Sequence, residues 1–135
     1  MTNGLEQVRK SLAARGITEL TFTSPSGLSQ RNKIKPRRLG ELLVSVRKDQ
    51  RIFPEFASAL PLAGLDGTLK SRMKGSSAAE RVRGKTGLLT GAVGLAGYAG
   101  RLDGTTFSYV FIYNGGQGVA QIWSLFDALS VQLVK

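Results

Sequence analysis

The chain has 135 residues, 41% hydrophobic and 21% charged, enough for one modest domain with its own core. It holds no Cys and no His, which excludes disulfides, thiol nucleophiles, His/Cys metal sites and any Ser-His-Asp triad, and leaves lysine as the base for hydrolytic chemistry. Lys plus Arg number 19 against 9 Asp plus Glu, a formal net charge of +10 that favours anionic partners such as nucleic acid, anionic lipid heads or peptide carboxylates.

In chain order, Leu5, Val8, Leu12 and Ala13 recur at helical spacing and predict a first helix that stops at Arg15-Gly16. Met1 to Lys10 carries no apolar core of a signal peptide, and no apolar run approaches the ~18 residues of a membrane span. Ile17 to Thr23 alternates as a short extended segment. Ser24-Pro25-Ser26-Gly27 is turn chemistry that presents the Ser29 region as a loop. Pro36 suits the first turn of a second helix, with Leu39, Leu42, Leu43 and Val46 on one face and Arg37, Arg38, Glu41 and Arg47 on the other. Pro54 to Leu60 predicts another short helix, ended by Pro61. Gly64 to Gly84 reads as basic loop, in which Asp66-Gly67-Thr68 is a structural turn with Asp66 bonding its own backbone.

Three extended segments follow: Ala79 to Lys85 running on into Thr86-Gly87, Ala92 to Leu102, and Phe107 to Tyr113. Asp103-Gly104 between the last two is a hairpin signal, so those strands should be antiparallel neighbours. Glycines 91, 94, 97 and 100 on the middle segment fit a bulged, twisted strand better than close approach of a helix or ligand. Val119, Ile122, Trp123, Phe126, Leu129 and Leu133 give a C-terminal amphipathic helix whose apolar face lies on the sheet, with Trp123 as core packing. The expected fold class is α+β.

The basic residues gather in two clusters, Arg31, Lys33, Lys35, Arg37 and Arg38, then Lys70, Arg72, Lys74, Arg81, Arg83 and Lys85. A nucleic-acid module would interleave such residues with aromatics, whereas Phe107, Tyr109, Phe111 and Tyr113 have no Lys or Arg among them. Nucleic acid is therefore the least favoured partner.

Lys85-Thr86-Gly87 carries the most chemistry. On a strand edge it makes a compact carboxylate receptor: a fixed positive charge, a hydroxyl donor, and a glycine that lets a peptide lie against the backbone. The same triplet occurs in penicillin-binding proteins and serine β-lactamases beside a Ser-x-x-Lys motif and a Ser/Asn motif. Upstream stand Ser26-Gly27-Leu28-Ser29-Gln30-Arg31-Asn32 and Leu60-Pro61-Leu62-Ala63-Gly64-Leu65-Asp66-Gly67-Thr68-Leu69. These three motifs in this order resemble the class C penicillin-binding proteins, the D-alanyl-D-alanine carboxypeptidase/endopeptidase family, from about residue 5 to the end.

The resemblance implies the C-terminal portion of a transpeptidase/β-lactamase-like fold, as a single partial domain over 1–135. Residues 1–84 would be the helical and loop region with the Ser-Gly-Leu-Ser segment, and 85–135 the Lys-Thr-Gly strand, hairpin and C-terminal helix. It implies that Ser29 passes a proton to the leaving amine, with Ser26 as the alternative, and that Asn32 bonds the substrate amide. Lys85 and Thr86, with Gly87 beside them, would hold the terminal D-Ala carboxylate, and backbone after Gly87 would supply an oxyanion donor. The two intervening residues between Ser29 and Asn32, and Ser24-Pro25 before the motif, depart from the family pattern.

Only 25 residues precede Ser26 and none forms Ser-x-x-Lys, while Ser45-Val46-Arg47-Lys48 and Ser71-Arg72-Met73-Lys74 stand in the wrong order. The expectation is a chain without the acylating half, inactive alone and in need of a complementing N-terminal segment. Its partners would be peptidoglycan stem peptides ending in D-Ala, and β-lactams once completed; no cofactor or metal is expected. The resemblance places it in the periplasm or otherwise outside the cytoplasm. The alternatives are a non-catalytic wall-peptide-binding module and, behind it, a basic nucleic-acid-binding domain.

Overall fold

Strand alternation sets the architecture. In a computed structural model describing residues 2–135, the glycine-punctuated apolar runs form β1 (Val82–Leu89), β2 (Ala92–Gly100) and β3 (Thr106–Asn114). They pair antiparallel in the order β1-β2-β3. The register is continuous: Gly84 faces Gly97, which faces Tyr109, and Lys85 faces Ala96, which faces Val110. Successive residues leave opposite faces of the sheet, so each face collects its own core.

The helices are α1 (Thr2–Ala13), α2 (Pro36–Lys48), α3 (Phe53–Ser58) and α4 (Val119–Leu133). Of these, α4 covers one face of the sheet and α2 with α3 the other. Ile122 and Phe126 of α4 bury against Val82, Val93, Leu95, Ala99 and Tyr109, together with Ala63, Leu69 and Met73 from the loop before β1. On the other face Leu43 of α2 and Leu60 pack with Tyr98, and Phe53, Ala96 and Val110 close the cluster. The Tyr98 hydroxyl donates to the Leu43 carbonyl at 2.7 Å, which satisfies a polar group carried into apolar surroundings. The arrangement is α+β, an antiparallel sheet with the C-terminal helix on one side, as the patterning predicts. Among the described residues no helix is long and apolar enough to cross a membrane.

Three expectations are corrected. The extended segment at Ile17 to Thr23 shrinks to a single bridge, Thr21 with Lys33. Glu19 breaks the run by taking a φ of 59°, with its carboxylate held by Lys35 at 3.1 Å and Arg38 at 3.2 Å. β1 starts at Val82 rather than Ala79, because Glu80 turns the chain with a φ of 60°. The middle strand carries no bulge. A Cβ on Gly97 would strike the Arg83 carbonyl, so this glycine allows close approach of neighbouring backbone. Asp66 keeps its turn role but reaches back, accepting the Leu62 N–H at 2.6 Å.

Two arginine–carboxylate contacts tie the outer elements down. Arg72 bonds Asp127 of α4 through Nε at 3.1 Å while its guanidinium lies 4.2 Å over the Trp123 ring. Trp123 is thus a packing residue, edge-on to Phe126. Near α1, Asp49 accepts bonds from the Arg51 guanidinium at 3.1 Å and 3.2 Å and from Arg15 at 3.3 Å. Those bonds, the Arg51 side chain foremost, hold its carboxyl down at about 2. A depressed carboxyl gives its full stabilisation above the ordinary carboxylate value and loses it as the pH falls through the folded one. The stabilisation should therefore be complete above about pH 4 and fall away below it, while the Arg15–Asp49 contact itself should break only as Asp49 protonates around pH ~2. Amide shifts of residues 15 and 49 in an acid titration will show it.

Candidate active site

β1 is an outer strand, and half of its free side is already occupied. Ala63 N–H donates to the Val82 carbonyl at 2.8 Å and Gly84 N–H to the Pro61 carbonyl at 3.0 Å. The backbone groups of Val82 and Gly84 therefore point outward. By the two-residue alternation of an antiparallel strand, those of Thr86 and Leu88 do too. Among the described residues no backbone segment bonds to Thr86 or Leu88 on that side. The Pro61–Ala63 segment ends where the Lys-Thr-Gly triplet begins, and an extended peptide can add there as a further strand.

Lys85 and Thr86 emerge on opposite faces, yet both reach this edge. The Lys85 Nζ donates to the Thr86 carbonyl at 3.0 Å, which puts the ammonium beside the outward-facing backbone. The Thr86 hydroxyl donates to the Thr68 hydroxyl at 3.2 Å. Lys85, Gly87 and Leu88 are exposed and Thr86 is half-buried. On the Lys85 side, Gly87 faces Gly94 across the strands, and an apolar cleft of about 310 Å³ opens between this side-chain-free floor and Leu39, Leu43, Phe56 and Leu60.

Ser29 and Asn32 sit elsewhere. The Asn32 Oδ1 accepts the N–H groups of Thr23 at 2.9 Å and Ser24 at 3.2 Å, and its Nδ2 donates to the Ser24 carbonyl at 2.9 Å. Ser29 pairs with the Thr23 hydroxyl at 3.1 Å and accepts the Arg31 N–H at 3.2 Å. Ser26 pairs with the Ser24 hydroxyl at 2.8 Å. Gln30 fastens this loop to the β1–β2 turn by donating to the Thr90 carbonyl at 2.9 Å. Ser29 and Asn32 line a cavity of about 300 Å³ with Leu89–Ala92 and Asn114, separate from the cleft at Lys85. The structure thus groups Lys85, Thr86 and Gly87, and separately Ser29 and Asn32, at different points along β1.

Neither Ser-x-x-Lys match has a hydrogen bond to Lys85, Thr86 or Gly87 among the described residues. Ser45 donates back into α2, to the Leu42 carbonyl at 3.0 Å, and Ser71 is an exposed loop residue beyond Leu69. The sequence reading reaches Leu88 as the backbone after Gly87, but treats Thr68 only as part of a turn and gives Gln30 no role. The Leu88 signal was present in β-strand alternation: two residues on from Thr86, its backbone must face the same way.

An antiparallel sheet helix-covered on both faces, with Lys-Thr-Gly on a free outer edge, defines a penicillin-binding-type peptidase fold. The structure superposes on penicillin binding protein 4 of Haemophilus influenzae with a TM-score of 0.86 and 26% identity, over 98% of this chain and 32% of that one. The chain belongs to the D-Ala-D-Ala carboxypeptidase 3 (S13) family, whose model matches residues 1–130. It is 30% identical to the D-alanyl-D-alanine carboxypeptidase of Actinomadura sp. strain R39 over 98% of its own length and 25% of the relative's. With the D-alanyl-D-alanine carboxypeptidase DacB of Haemophilus influenzae the identity is again 30%, over 83% of this chain and 24% of that protein. The chain spans about a quarter of the length of the curated relatives it matches.

Proposed function

We propose that this chain supplies the carboxylate-binding edge of a serine-type D-Ala-D-Ala carboxypeptidase or endopeptidase acting on peptidoglycan peptides. The observation that carries the proposal is the uncovered stretch of β1 at Thr86 and Leu88, with the Lys85 ammonium curled onto it. A peptide laid along that edge would pair with Thr86 and Leu88. Its terminal D-Ala carboxylate would meet the Lys85 ammonium and the Thr86 hydroxyl, and the Leu88 N–H would donate to the oxyanion formed during acyl transfer. The acylating serine would come from a Ser-x-x-Lys segment outside these 135 residues, since Ser45 bonds into its own helix.

The proton-passing role of Ser29 and the amide-binding role of Asn32 would require their loop to turn toward Lys85. The Asn32 amide is committed to Thr23 and Ser24, and neither residue lies with Lys85. The Haemophilus influenzae penicillin binding protein 4 has been solved in complex with a β-lactam, with 26% identity and a TM-score of 0.85 to this chain. The proposal extends to β-lactam acylation here once the serine is supplied, and to a setting outside the cytoplasmic membrane, where peptidoglycan lies. A second reading, a wall-peptide-binding module without catalysis, uses the same edge and differs only in needing no serine.

The test is a titration of the chain with a peptide ending in Lys-D-Ala-D-Ala, followed by amide shifts. Weak saturable binding is expected, with the largest shifts at Lys85 to Leu88. Lys85→Ala should weaken it by about 10- to 100-fold, the range for one charge-assisted hydrogen bond. The C-terminal amide of the peptide, lacking the carboxylate, should bind wild type and Lys85→Ala alike. Absence of binding would remove the carboxylate receptor. A covalent benzylpenicillin adduct on this chain, mapped to Ser29, Ser45 or Ser71, would overturn the separate-serine arrangement.

A further inference from the structure

The loop before β1 brings a second hydroxyl to the triplet, and nothing in the Lys-Thr-Gly motif accounts for it. Thr68 lies in a 3-10 turn (Gly67–Leu69), with its Oγ 3.2 Å from the Thr86 Oγ. A threonine on an exposed strand has more than one χ1 well open to it, so the direction of the Thr86 hydroxyl needs a partner to settle it. We propose that Thr68 is a positioning residue of the carboxylate receptor, fixing the Thr86 rotamer so that its hydroxyl serves the strand edge beside Lys85. This rests on the reading of Lys85 and Thr86 as the receptor given above.

The frame that holds Thr68 is built for fixed placement. Asp66 accepts the Leu62 N–H at 2.6 Å and so closes the turn from behind. Gly67 takes a φ of 51°, and a Cβ there would lie 2.8 Å from the Pro61 Cγ, so the turn sits directly on the proline. Leu69 is fully buried, and its carbonyl accepts the Gly64 N–H at 3.0 Å. Pro61 and Ala63 are themselves bonded to Gly84 and Val82. The turn is thereby fastened to the same strand that carries Thr86, two residues after its last tether.

The hydroxyl pair also has a direction. In the structure Thr86 donates to Thr68, which leaves the Thr68 proton without a protein acceptor among the described residues. When a carboxylate arrives at the edge, both hydroxyls rotate. Thr68 then donates to Thr86 and Thr86 to the carboxylate, each proton staying on its own oxygen. A hydroxyl that both accepts and donates is polarised into a stronger donor. Valine at 68 keeps the shape of the side chain and removes both functions, whereas serine keeps them.

The experiment compares wild type, Thr68→Val and Thr68→Ser. Three-bond couplings from the Thr86 methyl to its backbone N and carbonyl C report χ1 without any ligand. A single rotamer is expected in wild type and Thr68→Ser, and averaging in Thr68→Val, with the thermal midpoint unchanged. Affinity for the peptide ending in D-Ala-D-Ala should fall about 3- to 10-fold in Thr68→Val, the range for one neutral hydrogen bond, and return in Thr68→Ser. The peptide amide should bind all three equally. A Thr86 rotamer and affinity unchanged by Thr68→Val would overturn the proposal, as would loss in Thr68→Val that serine fails to restore. If wild type binds no peptide, the receptor reading falls, and the couplings alone still decide whether Thr68 orders Thr86.

Discussion

Gly97→Ala is expected to destabilise the fold severely. Gly97 faces Gly84 across the β1–β2 pair, and an added Cβ would land on the Arg83 carbonyl and 2.7 Å from the Gly84 Cα. Ordinary overpacking costs about 1–3 kcal/mol because a flexible side chain can move aside. Here the obstacles are backbone atoms of the next strand. They are pinned from outside by Pro61 at 3.0 Å and from the α4 side by the Tyr109 hydroxyl, which donates to Arg83 at 3.1 Å. The cost should exceed the usual range, at ~3 kcal/mol or more, against a total stability of about 5–15 kcal/mol for a small domain. Urea unfolding should show a lost transition or a midpoint far below wild type. Gly100→Ala is the control, since a Cβ there meets nothing within 4 Å. A stable Gly97→Ala would mean that β1 can shift outward, and the Lys85 edge with it.

The contrast between Gly97 and Gly100 also marks what the sequence could and could not disclose. Four glycines on one strand announce a special surface, but spacing alone cannot say which of them faces neighbouring backbone. Periodicity placed α2 from Pro36 and the Leu39, Leu43 and Val46 face, and β2 and β3 to within two residues at each end, because each buries an apolar stripe whatever its partners. It misjudged Ile17 to Thr23, where a positive φ at Glu19 and its cation pair override a weak alternation. Lys85-Thr86-Gly87 was legible as a site because its chemistry is contiguous on one strand. Thr68 was not, because its partner Thr86 is far along the chain and only the folded loop brings the two hydroxyls together. Ser29 and Asn32 were legible only as a motif; that their side chains bond within their own loop, which Gln30 fastens to the β1–β2 turn, needed the fold.

Asp127→Ala should be the most damaging loss of an ion pair in the molecule. Arg72 reaches Asp127 with both Nε and Nη2, donates to the Trp123 carbonyl at 3.5 Å and stacks on the Trp123 ring. Its side chain is 14% exposed and that of Asp127 24%. Removing the carboxylate strands a largely desolvated guanidinium, which for a fully buried pair costs about 3–5 kcal/mol and at this exposure ~2–4 kcal/mol. That corresponds to a thermal midpoint lower by about 5–15 °C for a domain of this size. Glu6→Ala removes an ion pair of similar geometry, Glu6 with Lys10 at 3.1 Å, but both side chains are more than 60% exposed, at 62% and 67%. Its effect should stay below about 0.5 kcal/mol and shrink further in salt, whereas the Asp127→Ala deficit should persist at ~0.5 M NaCl. The double variant Arg72→Met/Asp127→Leu removes the stranded charge and should recover much of the loss. If Asp127→Ala alone matches Glu6→Ala, the loop that carries Thr68 is held to α4 by Leu69 and Met73 packing instead, and the Arg72 contact only decorates it.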